Sequence, residues 1–366
     1  MISIVRVLMD GGKMKKVYPL QKKPVFFCSL PIVISLLILS FPMVGNADDS
    51  SVGSGAILRS GFGARALGMG GAYVAIADDY SAPYWNPAGI TRANSIYLGG
   101  MRYDKFGLGL NLNYLSGGLK FSGQNSGRSS LLPSLSIPLV KGISFAGTYL
   151  GFSTEVRALG PEDSEIPINY GERSFMASAG IEFPLVGTIG MTGKNYSFSA
   201  PKAGVDGKDA SASGFGFDMG YLVEPVNGLT LGAAAFDLTG TDIKWKNTPT
   251  EPTDTVHPRY SAGAAYRINF KDFIPSDFLA GSLTTSGQYS FGSGTSNKIR
   301  MGLEYSAWLF SLRAGAVRPE ESKVYFTAGA GIRVQFLTAD LAWVQNNSLQ
   351  GENTTDTIVF STEFQF

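Results

Sequence analysis

The sequence predicts an all-β protein: a transmembrane antiparallel outer-membrane β-barrel of about 14 strands. Three observations point to this fold. The chain begins with a basic and then apolar leader, continues with segments of alternating apolar and polar side chains, and ends on a strand-like segment whose last residue is Phe366. Alternation over about ten residues is the pattern that a tilted membrane strand requires, with one face toward lipid and one toward the lumen.

The leader, residues 1–47, is interpreted as a secretory signal peptide. An apolar run extends from Pro24 to Val44, and Gly45-Asn46-Ala47 supplies small residues for cleavage near Ala47. The alternatives are an uncleaved membrane anchor and a translation start at Met14 in place of Met1. Cleavage predicts that the mature chain is located in the cell outer membrane. Pairs of lysines precede the run, namely Lys15, Lys16, Lys22 and Lys23.

Charge and cysteine content exclude several functions for the mature chain. Six of the 30 bases and one of the 29 acids lie in residues 1–47, which leaves 24 bases and 28 acids and a net charge of about −4. Such a chain has no general attraction to nucleic acid. Cys28 is the only cysteine and lies in the leader, so no disulfide or thiolate metal site is expected. No cofactor is expected.

The alternating segments fit either a soluble sandwich, whose apolar face is the core, or a barrel, whose apolar face meets lipid. In KIRMGLEY, Ile299, Met301, Leu303 and Tyr305 alternate with polar or small residues. Aromatic residues near segment ends favour the barrel because they form girdles at the membrane interfaces. These residues are Phe183, Tyr260, Phe270, Tyr305, Trp308 and Trp343.

Fifteen segments are strand candidates, and an even number is required for a single-chain barrel, so fourteen strands are predicted. In 229–240, Phe236-Asp237-Leu238 breaks the alternation, and a β-bulge there would restore it. Surface loops are predicted at 117–128, 156–170, 200–210, 241–257 and 346–355, and short turns at 306–307 and 335–336. The candidates are 95–103, 106–116, 129–138, 142–155, 171–183, 186–199, 211–223, 229–240, 258–270, 278–290, 297–306, 309–318, 323–334, 337–346 and 356–366.

Residues 48–93 precede the first strand and do not alternate. They contain GARALGMGGAYVAIADDYSAPYWNPAGI, which spans Gly63 to Ile90. GFGARA, residues 61–66, overlaps the start of this stretch and matches a loose dinucleotide-binding pattern. Because no βαβ unit follows, nucleotide binding is rejected. Small residues allow close packing, Asp78 and Asp79 with Ser81 can cap a helix, and Pro87 ends it. The segment is predicted to be a partly helical hatch inside the lumen of the barrel formed by residues 94–366.

The same stretch resembles the N-terminal hatch of the FadL superfamily of outer-membrane transporters, and it is most similar to the PorV/PorQ-like branch. The matching motifs are the alanine and glycine pattern, Ala77-Asp78-Asp79 and Asn86-Pro87-Ala88. The resemblance implies a 14-stranded barrel with passive uptake of hydrophobic compounds, such as long-chain fatty acids, by hatch-gated binding and lateral release. It equally allows a PorV-like component of type IX secretion that binds secreted proteins. A structural surface barrel is the third hypothesis.

Candidate site residues follow from these hypotheses, and no enzyme is predicted. His257 is the only histidine and no motif provides it with a partner for catalysis or metal binding. The expected ligand and hatch residues are Asp78, Asp79, Tyr84, Trp85, Asn86, Pro87 and Ala88. Basic lumen residues that could pair with Asp78, Asp79 or a ligand are Arg267, Arg300, Arg313 and Arg333.

Four partners are expected for the mature barrel. They are outer-membrane lipid, the outer-membrane assembly machinery through the C-terminal Phe366, a hydrophobic small molecule and secreted proteins. A transporter predicts an interruption in one wall strand near Phe236-Asp237. A shuttle predicts an intact wall and an apolar, concave mouth.

Overall fold

A computed structural model of the chain describes residues 9–10, 13–14, 59–105, 109–122, 140–159, 165–270, 281–293, 296–320, 322–346 and 355–366. Two short strands, β1 (Met9–Asp10) and β2 (Lys13–Met14), pair with each other inside the predicted signal peptide. The other residues of that peptide lie outside the described residues, and so does the cleavage position near Ala47.

Fourteen antiparallel strands form a closed ring. They are β3 (Ile96–Lys105), β4 (Leu110–Ser122), β5 (Gly142–Leu159), β6 (Glu165–Phe183), β7 (Gly187–Ala200), β8 (Ala210–Val226), β9 (Leu229–Phe236), β12 (Arg259–Asn269), β13 (Ser282–Gly292), β14 (Lys298–Ala307), β15 (Phe310–Pro319), β16 (Tyr325–Val334), β17 (Leu337–Val344) and β18 (Thr357–Gln365). Two further strands, β10 (Thr241–Lys246) and β11 (Thr253–Val256), form a hairpin that extends β8 beyond the ring.

The first and last strands of the ring close it. β18 pairs with β3, and Ile96 and Phe366 exchange two backbone hydrogen bonds of 3.0 and 2.8 Å. β8 pairs with β9 on the other side of the hairpin, so every neighbour in the ring is joined. The predicted all-β barrel of fourteen strands is therefore confirmed. The ring closes without the fifteenth candidate, 129–138, which lies outside the described residues.

The two ends of the barrel differ. The turn end holds Ile96, Phe366 and four short connections at 184–186, 227–228, 308–309 and 335–336. The loop end holds the β10–β11 hairpin and the connections after β3, β5, β7, β13, β15 and β17. The predicted loop at 117–128 is wrong in its first part, because β4 continues to Ser122 and ends at the turn end. Likewise β5 and β6 extend into 156–170, and 241–257 is largely the hairpin.

The wall has an apolar outside and a polar inside. Leu115, Phe175, Leu303, Leu312 and Phe360 are exposed on the outer face. The inward positions of the wall strands carry buried polar side chains, among them Ser116, Thr192, Gln288, Thr327 and Ser361. This arrangement is the reverse of a soluble sandwich and matches a membrane barrel.

Residues 59–93, called the inner segment below, lie within the ring. The segment contains α1 (Ala64–Gly68), α2 (Ala82–Trp85) and a 3-10 helix (Pro87–Thr91). α1 packs on β15–β18, while the 3-10 helix packs on β4–β8 at the opposite side of the ring. Phe62, Tyr73 and Tyr80 are fully buried by these contacts. A 3-10 turn, Val205–Gly207, lies in the loop before β8. No helix in the described residues is long and apolar enough to cross a membrane.

Candidate functional site

The Asn86-Pro87-Ala88 motif fixes the inner segment to β7 and β8. The Asn86 side chain caps the 3-10 helix by accepting a hydrogen bond of 3.1 Å from the Ala88 backbone N–H. Its amide nitrogen donates to the Val74 carbonyl at 2.8 Å and to the Tyr221 carbonyl of β8 at 3.1 Å. One fully buried side chain thus ties together two parts of the segment and the wall.

A row of glycines in the wall makes this contact possible. Gly180, Gly190 and Gly220 are direct neighbours across β6, β7 and β8. A Cβ atom at Gly220 would overlap the Asn86 Oδ1 atom, and one at Gly190 would overlap the Pro87-Ala88 backbone. At Gly180 a Cβ would lie 2.9 Å from the Thr91 Cγ2 atom. The 3-10 helix therefore rests directly on the backbone of three strands.

Wall side chains hold the segment on the other side. Gln288 of β13 is buried, and its Oε1 atom accepts hydrogen bonds of 2.9 Å from the backbone N–H groups of Tyr73 and Val74. Thr327 of β16 donates its hydroxyl to the Gly68 carbonyl at 3.0 Å. These bonds satisfy backbone groups of a segment that has no strand partner of its own.

Charged side chains join the segment to β14, β15 and β17. Arg65 of α1 contacts Asp78 at 2.5 Å and Glu304 of β14 at 2.7 Å. Glu304 also accepts from Arg313 at 2.7 Å, and Arg313 contacts Asp340 at 2.7 Å. Burial alone would raise the pKa of Asp78, but Arg65 and then Arg267 outweigh burial and hold that pKa below its ordinary value.

The four arginines predicted for the lumen have different environments. Arg267 lies 3.6 Å from the Asp78 carboxylate, and Arg313 belongs to the Glu304 network. Arg300 donates to the Ser290 hydroxyl at 2.6 Å and lines a cavity. Arg333 is exposed near the turn end, and among the described residues it forms no ion pair. Arg333 thus lies apart from the other three, because its strand ends one residue later at the rim.

The remaining predicted hatch residues are buried in the segment. Asp79 accepts hydrogen bonds from the Ser81 N–H at 2.9 Å and from the Tyr73 hydroxyl at 2.6 Å, just before α2. Trp85 donates its indole N–H to the Phe62 carbonyl at 2.7 Å, and its ring packs edge-on against Tyr84. Tyr84 and Trp85 also line a cavity, so they pack in the segment and face an open space.

Three cavities surround the inner segment. The loop-end cavity has a volume of about 380 Å³ and is lined by Tyr84 and Trp85 together with basic residues. The turn-end cavity, of about 530 Å³, is lined by Asp78, Arg92 and Arg267 among others. A small side cavity of about 30 Å³ lies between Tyr84 and the end of β9. The segment separates the loop-end cavity from the turn-end cavity, which share no lining residue.

The wall is interrupted where the side cavity meets it. β9 ends at Phe236, a turn at Asp237–Gly240 closes with a hydrogen bond of 2.8 Å, and β10 begins at Thr241. β9 pairs with β8 from Met219 onward, whereas β10 pairs only with residues 211–213 of β8. Between these ladders, the Leu238 N–H donates to the Phe217 carbonyl at 3.0 Å. The predicted break in alternation is thus a turn inside the wall.

A buried charged cluster occupies this interruption. Lys194 of β7 lies 2.7 Å from Asp218 of β8 and 2.9 Å from Asp237. Tyr196 and Thr241 donate their hydroxyls to Asp237, each at 3.0 Å, and Asp218 accepts the Asp237 backbone N–H at 2.8 Å. Side chains therefore bridge the strands where backbone pairing is lost.

Sequence reasoning missed the cluster and several basic residues. Lys194 and Asp218 occupy inward positions that look like any solvated lumen position, and only the strand register brings them together. Arg65 lies within the stretch from Gly63 to Ile90, and its short distance from Asp78 in the sequence is a signal that could have identified the pair. Three further basic residues lie near the ends of strands or of the inner segment and belong to no sequence motif, namely Arg59, Lys105 and Arg259. His257 is half-buried, and its carbonyl accepts a hydrogen bond of 2.7 Å from Arg59.

A closed antiparallel ring with an apolar outer face and a polar lumen defines the class of transmembrane β-barrels, and residues 59–93 lie inside this ring. The comparisons with known proteins agree with this class. No protein-family model matches the chain. No curated protein matches it either.

Solved structures of similar fold are outer-membrane channel proteins. The toluene transporter TodX of Pseudomonas putida aligns with a TM-score of 0.52 and 12% identity, covering 84% of this chain and 99% of TodX. The monoaromatic hydrocarbon channel CymD aligns with a TM-score of 0.52 and 12% identity, covering 84% of this chain and 98% of CymD. A FadL homologue of Pseudomonas aeruginosa aligns at 0.48 and 11% identity, covering 82% and 97%. At such identities, the likeness to TodX and CymD concerns the fold.

Proposed function

We propose that this barrel is an outer-membrane channel for passive uptake of solutes with apolar parts, in which the inner segment acts as the hatch and the solute leaves sideways through the wall. The observation that carries this proposal is the interruption of the wall at Asp237–Gly240, directly beside the side cavity. A lateral exit needs a place where strands are not joined by backbone hydrogen bonds, and this place has one such bond where a continued ladder would have several.

The arrangement of cavities supports a sideways route. Arg59, Tyr84 and Arg259 line both the loop-end cavity and the side cavity, so the two spaces adjoin. The turn-end cavity has no lining residue in common with the loop-end cavity. A solute entering at the loop end would therefore reach the wall interruption before it could pass the inner segment. Opening of this route then requires shifts of Tyr84 in the hatch and of the Lys194 cluster in the wall, because both narrow the side cavity.

The proposal includes an orientation. The turn end, with both ends of the barrel sequence, faces the periplasm, and the loop end faces outward. The exposed apolar outer face contacts outer-membrane lipid, and Phe366 is the signal for the assembly machinery. Residues 48–93 form the hatch domain and residues 94–366 the barrel domain, after cleavage near Ala47.

A PorV-like shuttle for secreted proteins is less well supported. It predicts an intact wall and an apolar concave mouth, whereas the wall is interrupted and the described lining of the loop-end cavity includes five basic residues. The resemblance of Asn86-Pro87-Ala88 to that branch concerns a motif that docks the segment to the wall, and this role serves either function.

A reversible disulfide across the interruption tests the lateral exit. A Cβ atom at Gly216 of β8 would lie 3.5 Å from the Thr241 Cβ atom, which is within the range of disulfides. The variant Gly216→Cys/Thr241→Cys should take up labelled toluene and palmitate slowly when oxidised and faster when reduced. Cys28, in the predicted signal peptide, is the only natural cysteine.

The control is the pair of single variants, Gly216→Cys and Thr241→Cys, each of which carries one of the two changes but cannot form the bond. Uptake by these variants should not depend on the reductant. Equal uptake by the oxidised and reduced double variant, with the disulfide verified by mass spectrometry, would contradict a lateral exit at this position.

A further inference from the structure

Basic residues gather in the loop-end cavity. Five of them line it, namely Arg59, Lys105, Arg259, Lys298 and Arg300, and its described lining includes no aspartate or glutamate. Within the described part of the chain, Arg59, Arg259, Lys298 and Arg300 form no ion pair. They come from the inner segment, β12 and β14, so the fold brings them together from three elements.

Three buried cations elsewhere in the lumen are, in contrast, paired with carboxylates. Arg65, Lys194 and Arg313 each contact carboxylates at 2.5–2.9 Å. Placing a cation away from bulk water without a counter-ion costs free energy, and neighbouring cations add repulsion. The pKa of Arg59 is lowered accordingly, first by burial and then by Arg259. The fold pairs Arg65, Lys194 and Arg313 with carboxylates but leaves these four cations without one, and this leaves room for an anion from outside.

The hydrogen-bonding capacity of these cations is largely unused. Arg300 donates from Nη1 to Ser290, and Arg59 donates from Nη2 to the His257 carbonyl. A guanidinium has five N–H donors, so each retains several for a carboxylate or a phosphate. Lys298 has no hydrogen-bond partner for its ammonium group within the described residues. Several separate donors suit a ligand with more than one anionic group.

Aromatic side chains complete the cavity. Trp85 and Tyr84 form one part of its lining, and Tyr103, Phe291 and Tyr325 contribute others. Aromatic rings favour flat, apolar groups and also tolerate nearby cations through their π faces. At about 380 Å³ the cavity holds a compact molecule of this kind.

We propose that the loop-end cavity binds a compact aromatic anion with two or more negative charges, of the aromatic dicarboxylate class, through Arg59, Arg259, Lys298 and Arg300. A neutral hydrocarbon would leave these four cations unpaired, and a monocarboxylate would neutralise only part of them. The inference rests on the proposed function, because it takes the loop-end cavity as the binding site of the solute. It adds that the preferred solute is an anion.

Binding to the purified full-length barrel in non-ionic detergent tests the inference without any uptake step. Isothermal titration would compare phthalate, benzoate, toluene and inorganic phosphate. Phthalate should bind about tenfold more tightly than benzoate, since it forms at least one more charge-assisted contact, and its affinity should fall as salt rises. Toluene has no negative charge and phosphate has no aromatic ring, so each should bind more weakly than phthalate.

Variants assign the site. Lys298→Met and Arg300→Met should each weaken phthalate binding about tenfold or more, while Arg333→Met, which removes a charge at the exposed rim, should not. Heat-modifiable migration on gels confirms that each variant is folded. Phthalate binding no tighter than toluene binding, or equal binding by folded Lys298→Met and Arg333→Met, would overturn the inference.

The two experiments separate the two proposals. Phthalate binding with the predicted variant pattern supports the anion site even if the disulfide leaves uptake unchanged, in which case the lateral exit fails alone. Disulfide-dependent uptake of toluene and palmitate, together with a lack of phthalate preference, keeps the channel and overturns the anion site.

Discussion

At the scale of single residues, glycines decide where the inner segment meets the wall. Gly190 and Gly220 are neighbours on β7 and β8, and the Asn86-Pro87-Ala88 backbone occupies the space that a side chain would need. Docking of the inner segment therefore requires both the motif and the glycines. The Asn86 side chain reaches the Tyr221 carbonyl only where the glycines let the two backbones approach each other.

Gly220→Ala should displace the inner segment. The added methyl group overlaps the Asn86 side chain, and overpacking of this kind costs about 1–3 kcal/mol. Limited proteolysis in detergent should then cleave within residues 59–93 faster than in the wild type. Gly147→Ala on the outer face of β5 is the matched control, since its Cβ would meet nothing within 4 Å. Equal protection of both variants would show that the row of glycines is not needed for docking.

The lowered pKa of Asp78 predicts that the stability of the folded protein depends on pH. Its pKa in the folded protein is lower than in an unfolded chain, so its contribution is fully present above the unfolded pKa, about 4, and is lost as pH falls through the folded pKa. Asp78→Asn should destabilise the protein by about 1.5–3 kcal/mol at pH 7, the value of a hydrogen bond to a charged group.

Urea unfolding in lipid vesicles at pH 7 and pH 3 measures this effect. The difference between wild type and Asp78→Asn should shrink at the lower pH, because the Asp78 carboxyl of the unfolded chain, with a pKa of about 4, is then mostly protonated and must lose its proton on folding. A difference that stays constant with pH would mean that the Arg65 contact does not depend on the Asp78 charge.

At the scale of elements, most strands follow from alternation, and the exceptions have physical causes. The break in the two-residue period at Asp237 is visible in the sequence, but the predicted strand 229–240 with a β-bulge is wrong, because β9 ends at Phe236 and a turn follows. The length of β4 was misjudged, since Ser116-Gly117-Gly118 resembles a turn but lies inside the strand. A Cβ atom at the outward Gly117 would lie 3.3 Å from the Leu98 Cδ1 atom, and the inward Gly118 makes room for the Tyr97 ring. Such neighbours on adjacent strands are not evident from one segment.

The site was predictable only in part, for the same reason. The predicted hatch residues form a continuous motif, so their location in the inner segment could be inferred. The Lys194–Asp218–Asp237 cluster joins β7, β8 and the turn after β9, and its members are 24 and 19 residues apart in sequence. The cations of the loop-end cavity likewise come from distant elements. Spatial convergence across a barrel depends on register, which alternation does not specify.

Lys194→Met should loosen the β10–β11 hairpin. Without the ammonium group, Asp218 and Asp237 would face each other as buried carboxylates, and removing one partner of such a cluster costs about 3–5 kcal/mol. Hydrogen exchange should become faster in residues 241–256 and remain unchanged in β14–β16. Adding Asp218→Asn to Lys194→Met removes one of the two charges and should slow exchange again. No difference between the single and double variants would contradict the role of the cluster as a bridge.

At the scale of the whole molecule, the ring and its contents stabilise each other. The segment binds one side of the wall through Arg65 and Thr327 and the other through Asn86, so it links strands that are far apart around the ring. The ring in turn depends on its closing pair, β3 and β18.

Phe366 has two separable roles in that closure. Its backbone exchanges hydrogen bonds with Ile96, while its side chain is exposed on the outside and stacks on Phe336 with 5.8 Å between ring centroids. Phe366→Ala keeps the backbone bonds and removes the ring. If the side chain is the signal for assembly, the variant should refold from urea into detergent as well as the wild type does, yet accumulate much less in the outer membrane of cells.

The comparison with Phe364→Ala makes this test specific. Phe364 lies on the same outer face, stacks on the same Phe336 ring at 6.4 Å, and leaves the terminal residue unchanged when replaced. Both variants lose a similar apolar surface, so a purely structural effect should lower folded yield in the two equally, in detergent and in cells. Loss of cellular assembly confined to Phe366→Ala supports recognition of the terminus, because it is the only one of the two changes that alters the end of the chain. Equal loss in both would show that stacking on Phe336 is what matters.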